Sequence, residues 1–126
     1  MIVGYAYVVG DILHVGHLLH LRNCKRLCDR LIVGVLTDEA TMEKKPRPTI
    51  PFEQRIQLVA ALRHVDAAVA QDVYEPLKNI TDLKPDILFE CSGHERISYI
   101  TFPGRIIAMP YYPGQSSTHI KETIRG

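Results

Sequence analysis

The chain has 126 residues, a formal net charge of +1 and three cysteines. This length suits one domain, the small charge argues against a polyanionic partner such as nucleic acid, and an odd number of cysteines does not build a disulfide framework. The sequence contains no apolar run of about 18 residues and no secretory signal at its start. We therefore expect one soluble, cytoplasmic domain over residues 1–126, without a membrane partner.

Short β-rich runs alternate with helical segments along the chain. Strands are predicted at 2–9, 30–37, 66–70, 86–91 and 105–110, and several are too uniformly apolar for a sheet with one solvent-exposed face. Helices are predicted at 17–28, 52–63, 75–82 and 117–125, and a mobile loop rich in proline and basic residues at 39–51. This order predicts an α/β fold, a doubly wound (Rossmann-like) five-stranded parallel sheet with helices on both faces.

Three histidines stand at steps of three residues where the first strand gives way to the first helix: His14, His17 and His20. In a doubly wound sheet, this is where a phosphate meets backbone N–H groups at a helix start. Gly10 and Gly16 allow close backbone approach, but the G-x-G-x-x-G fingerprint and the P-loop lysine are both missing. A zinc site with Cys24 is a weaker alternative, because residues at steps of three drift around a helix. His20 is expected to be exposed or half-buried.

Five segments carry a resemblance that spans nearly the whole chain: GDILHVGH, LIVGVLTDE, PFEQR, RHVD and the terminal GQSSTHIKETI. In this order they resemble the nucleotidyltransferase superfamily marked by an H-x-G-H motif, and most of all its small glycerol-3-phosphate and ethanolamine-phosphate cytidylyltransferases. The resemblance implies transfer of CMP from CTP to a small phosphate- or phosphonate-bearing acceptor, with release of pyrophosphate. It also implies Mg²⁺ bound together with CTP, and a homodimer.

The resemblance assigns roles to individual residues. His14 and His17 would hydrogen-bond the triphosphate and stabilise the transition state, while Lys44 and Arg55 would bring positive charge to the phosphates and the acceptor. It further implies a nucleotide-binding set: Val9, Gly10, Asp11, His14, His17, Arg63, Ser92, His94, Gln115, Ser116, Ser117 and Thr118. No protein ligand to a metal is expected, because phosphate oxygens and water hold Mg²⁺. The residues themselves also allow Arg63 to pair structurally with Asp66.

The chain departs from the family pattern in three segments, one of which, FECSGHE at 89–95, has His94 where relatives carry acidic residues. VVGD at 8–11 keeps the aspartate but moves the glycine, and PYYPGQSST has Tyr111 and Tyr112 where relatives carry an arginine. Two phenols and His94 would suit a compact acceptor held by hydrogen bonds, so we expect a small phosphonate to serve at least as well as glycerol 3-phosphate. Two other functions stay open: an ATP-dependent adenylyltransferase of the pantetheine-phosphate or flavin type, and a catalytically degenerate regulatory domain that binds nucleotide.

Overall fold

The computed structural model describes residues 1–91 and 102–110. Within them the elements are β1 Val3–Val8, α1 Val15–Lys25, β2 Arg30–Leu36, α2 Asp38–Met42, α3 Phe52–Ala60, β3 Ala67–Gln71, α4 Leu77–Leu83, β4 Ile87–Cys91 and β5 Arg105–Met109. The helix predicted at 117–125 lies outside the described residues. In the part of the chain that is described, no helix has the length and apolar character needed to cross a membrane.

The five strands of the described residues form one parallel sheet in the order β3-β2-β1-β4-β5. β1 is central, with β2 on one side and β4 on the other. The chain builds outward from β1 to β3 and then returns to place β4 beside β1, so the strand order reverses between β1 and β4. Ligands of such sheets bind beyond the carboxyl ends of the strands at this reversal. The predicted doubly wound parallel sheet is confirmed.

Alternate side chains of the strands fill two separate cores. On one face, Ala6 of β1 packs with Leu21 of α1 and Val59 of α3. On the other face, Tyr5 of β1 packs with Ile80 of α4. Because helices cover both faces of the sheet, the side chains on both faces are buried. This explains why the strands are almost continuously apolar in sequence.

The helices differ from the prediction more than the strands do, and the structure explains two of the differences. α1 begins at Val15, two residues early, because His14 caps its first turn. The predicted loop at 39–51 contains most of the short helix α2, whose cap is Thr37: its hydroxyl accepts the Ala40 N–H at 3.1 Å. Asp38 and Glu39 in the first turn favour this helix through its dipole. Five residues are too few to show a helical period, so sequence periodicity does not reveal α2.

Candidate active site

His14 and His17 form a reciprocal cap at the start of α1. The Gly16 N–H donates to His14 Nδ1 at 3.0 Å, and the His14 N–H donates to His17 Nδ1 at 3.3 Å. Each ring thus uses Nδ1 as an acceptor, which places the proton of the neutral imidazole on Nε2. The ring centroids lie 4.2 Å apart. The helix start therefore carries two neighbouring Nε2–H donors.

Both rings are neutral near neutral pH. Burial lowers the pKa of His14. Burial, followed by the nearby His14 and His20, lowers the pKa of His17 to about 4; Asp11 opposes this shift and the positive charge of Lys45 adds to it. The Nε2 atom of His14 is buried and has no hydrogen-bond partner among the described residues. A buried donor of this kind is suited to an acceptor oxygen supplied by a ligand.

A strained turn connects β1 to the cap. Gly10 and Ile12 have positive φ values of 72° and 53°, and for a β-branched residue such as Ile12 this costs on the order of 1–3 kcal/mol. Between them, the buried Asp11 carboxylate accepts the N–H groups of Thr49 and Ile50, each at 2.9 Å. Asp11 therefore ties the segment before α3 to the turn that leads into the histidines.

Arg55 is buried and bound within the chain, whereas the resemblance implies that it brings positive charge to the phosphates and the acceptor. Its side chain is 0% exposed, and its Nη2 donates to Asp38 Oδ1 at 2.7 Å. Its Nε donates to the Ile50 carbonyl at 2.8 Å, and its Nη1 donates to the carbonyls of Val9 and Leu36 at 2.5 and 2.7 Å. The guanidinium thus joins the carboxyl ends of β1 and β2 to the segment before α3. Asp38 pairs with its charge, and the role of Arg55 towards the phosphates stays a prediction.

Arg63 follows α3, in the turn near the amino ends of the strands, whereas the histidines follow the carboxyl end of β1. α3 starts beside the carboxyl ends of the strands and runs back, so the turn that follows it leads into the amino end of β3. In this turn, Asp66 accepts the Leu31 N–H at the start of β2 at 2.7 Å and forms an ion pair with Lys25 at 2.6 Å. Arg63 is exposed in this turn, and its predicted contact with the nucleotide stays a prediction.

The two adjacent lysines after α2 have different surroundings. Lys44 Nζ lies 3.6 Å from Glu75 Oε1 and 4.9 Å from the centroid of the Tyr74 ring. Lys45 lies close enough to His17 for its charge to help lower the pKa of that ring. The resemblance selects Lys44 from this pair, and the sequence offers no signal that separates the two.

A buried carboxyl group lies where the strand order reverses, between β1 and β4, and it is not among the site residues predicted from the sequence. Glu90, near the end of β4, is 2% exposed, and the Tyr7 hydroxyl of β1 lies 2.8 and 2.7 Å from its two oxygens. The pKa of Glu90 is raised to about 7: burial is the main cause, the hydrogen bond from Tyr7 opposes the shift, and the charge of Glu75 adds to it. A glutamate inside the apolar run DILFEC was the available signal, since a charged residue in a covered strand needs a partner.

His20 is 7% exposed, so the expectation that it is exposed or half-buried is wrong. Its Nε2 lies 4.0 Å from Cys24 Sγ. The described residues contain no group of three or more His, Cys, Asp or Glu side chains arranged to hold a metal ion. The remaining predicted site residues lie outside the described residues: Ser92, His94, Gln115, Ser116, Ser117 and Thr118.

Comparison with known proteins shows relatives over most of the chain. The family model described as "Cytidylyltransferase-like" matches residues 10–123. The FAD synthase of Methanoculleus marisnigri is 34% identical over 124 residues, which cover 90% of this chain and 83% of the relative. The bifunctional protein HldE of Gluconacetobacter diazotrophicus is 34% identical over 131 residues, which cover 98% of this chain and 27% of the relative. This chain spans about half the length of the first archaeal FAD synthases that it matches.

A solved structure agrees with the fold described above. The lipopolysaccharide core biosynthesis protein from Thermoplasma volcanium has a TM-score of 0.80 and 28% sequence identity, covering 89% of this chain and 98% of that one. The family model begins after β1 and covers β2 to β5, the histidine cap and nearly all of the segments that carry the resemblance. The chain therefore belongs to the cytidylyltransferase-like family.

Proposed function

We propose that the chain transfers a nucleotidyl group from a nucleoside triphosphate to a small phosphate- or phosphonate-bearing acceptor and releases pyrophosphate. The reciprocal cap of His14 and His17 carries this proposal, because it fixes two donors at a helix start beyond the central strand. Helix starts favour phosphates through their N–H groups and the positive end of the dipole. Family membership supports the same reaction class.

In the proposed reaction, an oxygen of the acceptor attacks the α-phosphorus, and the bond from this phosphorus to the pyrophosphate oxygen breaks. Negative charge grows on the pyrophosphate, so the chemistry needs in-line positioning and stabilisation of charge and no covalent intermediate. The Nε2–H groups of His14 and His17 donate to phosphate oxygens, and a donor in this role contributes on the order of 3 kcal/mol. The attacking oxygen belongs to a phosphate or phosphonate anion and has no proton to lose, so the two neutral rings act only as hydrogen-bond donors.

Mg²⁺ is expected to arrive with the triphosphate. The carboxylates that flank the cap are already engaged, Asp11 with two backbone N–H groups and Asp38 with Arg55. Neither presents itself as a dedicated metal ligand, which suits a magnesium ion held mainly by phosphate oxygens and water. Bound in this way, Mg²⁺ would neutralise charge on the phosphates.

Two nucleotides are candidates for the donor. The description of the family and the cytidylyltransferase motifs favour CTP. The relatives named FAD synthase favour ATP, because the product in that name contains an adenylyl group. The segment after β4, where the resemblance places Ser92 and His94 on the nucleotide, lies outside the described residues.

Pyrophosphate release with CTP or ATP, Mg²⁺ and a panel of small phosphates and phosphonates tests the proposal. We expect turnover with one of the two nucleotides, and thermal stabilisation by the same nucleotide. Stabilisation without turnover on any acceptor would instead support a regulatory domain. A clear preference for glycerol 3-phosphate over every phosphonate would overturn the expected acceptor but leave the reaction class intact.

A further inference from the structure

The turn after α2 is attached to the segment that precedes α4. The N–H groups of Lys44 and Lys45 both donate to the Thr41 carbonyl, at 3.2 and 2.9 Å. The Tyr74 N–H donates to Glu43 Oε2 at 3.1 Å. The start of the lysine-bearing loop is therefore held against Tyr74 by contacts of its own backbone and of Glu43.

Tyr74 is in turn connected to the core on the α4 side of the sheet. Its carbonyl accepts from Gln71 Nε2 at 3.0 Å, and Gln71 Oε1 accepts from the Tyr5 hydroxyl at 2.5 Å. Asn79 of α4 donates to the same hydroxyl at 2.9 Å. These bonds run from the central strand through the end of β3 to Tyr74, so they fix the backbone that carries the half-buried Tyr74 ring, the platform on this side of the sheet.

Lys44 rests on this platform. Its ammonium lies over the Tyr74 ring and beside the Glu75 carboxylate. A cation–π contact and a partly exposed ion pair are each weak, but together they favour this position on the order of tenfold. If Lys44 moved to a ligand at the histidine cap, it would lose both contacts.

The loop then crosses to the side of the sheet that α1 and α3 cover. Thr49 and Ile50 are bound to Asp11, one turn before the histidine cap, and α3 follows at Phe52. Lys45 is the first residue on this path, and its charge reaches His17. Lys44 is therefore held beside Tyr74 and Glu75, whereas the charge of Lys45 acts on the side of the sheet where the histidine cap lies.

We propose that Lys45 is the lysine of this loop that contacts the polyphosphate chain of the donor, and that Tyr74 is a positioning residue that retains Lys44 away from it. This inference rests on the proposed function and identifies which of the two adjacent lysines contacts the ligand of that site. Lys44 and Tyr74 set the position of the loop, and Lys45 supplies its charge to the ligand.

Calorimetric binding of inorganic tripolyphosphate with Mg²⁺ tests the assignment without a base or an acceptor. Lys45→Met is expected to weaken binding at least about tenfold, as loss of a direct charge contact does. Lys44→Met is expected to weaken it by no more than about threefold, like Lys78→Met, which removes an exposed charge on α4. A larger loss for Lys44→Met than for Lys45→Met would overturn the assignment.

If Tyr74 holds Lys44 away from the ligand, releasing Lys44 should restore part of the binding that Lys45→Met loses. In the Lys45→Met background, Tyr74→Leu or Glu75→Gln releases Lys44, so binding should recover at least about threefold. Tyr74→Phe keeps the ring and should not restore binding. No recovery with either releasing variant would overturn the role of Tyr74. Failure of the unaltered chain to bind tripolyphosphate would overturn both proposals, whereas binding without turnover would overturn only the proposed reaction.

Discussion

His14 and His17 each use one ring for two tasks. In both, Nδ1 completes the cap of α1, and Nε2–H remains for a ligand. His14→Asn separates the tasks, because the asparagine Oδ1 can accept the Gly16 N–H, whereas the shorter amide cannot place its Nδ2–H₂ where Nε2–H stands.

We expect His14→Asn to lower turnover at least about tenfold, or about 1.4 kcal/mol in the barrier, with little change in the free energy of unfolding. His14→Ala should lower turnover similarly and also cost about 1 kcal/mol of stability, because the cap is lost. Pyrophosphate release and urea denaturation measure the two effects. Wild-type turnover in both variants would remove His14 from the mechanism.

Glu90 provides a second prediction about a single side chain. Its folded-state pKa of about 7 lies above the ordinary value of 4.5, so the folded chain binds this proton more tightly than the unfolded chain. The stabilising effect is complete below pH 4.5 and is lost as the pH rises through about 7. Glu90→Gln keeps a neutral acceptor for Tyr7 and does not titrate. Its Tm relative to the wild type should therefore increase from about pH 5 to about pH 8, and an equal difference at both values would contradict the shift.

The sequence predicts the histidines but not the burial of Arg55, and distance along the chain explains the difference. The cap forms among neighbouring residues at a strand-to-helix boundary, which the motif itself displays. Arg55 is satisfied by carbonyls 46 and 19 residues away, at Val9 and Leu36. Its position four residues before Val59 on the apolar face of α3 was a signal that the charge of the side chain obscured.

The packing of α3 against β1 and β2 depends on this buried guanidinium. Arg55→Ala would remove the 2.7 Å partner of Asp38 and the donor to three carbonyls, so we expect a loss of about 3–5 kcal/mol in the free energy of unfolding. Arg55→Lys should also destabilise, because one ammonium cannot reach the same set of acceptors. Urea denaturation measures both variants. Unchanged stability together with weaker tripolyphosphate binding would instead support the role of Arg55 at the phosphates that the resemblance implies.

The sequence predicts the strands more accurately than the helices. Each described strand is an apolar run with a clear end, and all five were predicted to within one or two residues. α2 was not predicted, because five residues show no period and the proline- and lysine-rich stretch after them is typical of a loop. Its formation depends on the Thr37 cap and on the link from Glu43 to Tyr74, which only the folded chain brings together.

The whole chain should respond to acid through its buried histidines. The pKa of His17 is lowered to about 4 from 6.5, and burial lowers those of His14 and His20 as well. Above pH 6.5 the shifts have no effect; below it the unfolded chain binds protons that the folded chain does not, so stability falls towards about pH 4. His17→Asn should reduce this loss in chemical denaturation over the same range. An identical pH dependence in the variant would contradict the neutral, buried ring.

The homodimer implied by the resemblance stays a prediction. Closed two-fold pairs are the commonest soluble assemblies. Of the aromatic residues that suggested an interface, Tyr74 binds Lys44 within the chain, Phe102 packs in the α4-side core, and Tyr99 lies outside the described residues. Light scattering at micromolar concentration should give twice the mass of one chain. A particle with the mass of a single chain would show that this expectation is wrong.

The reciprocal cap has a consequence for how the motif changes over evolution. A descendant that no longer handled nucleotides would lose the selection for Nε2–H but would still need an acceptor at the start of α1. Asparagine, aspartate, serine and threonine meet that need, whereas apolar residues do not. Inactive lineages should therefore replace His14 first by these residues, and a capping residue there without an Nε2–H would mark a domain that keeps its helix start but has lost its chemistry.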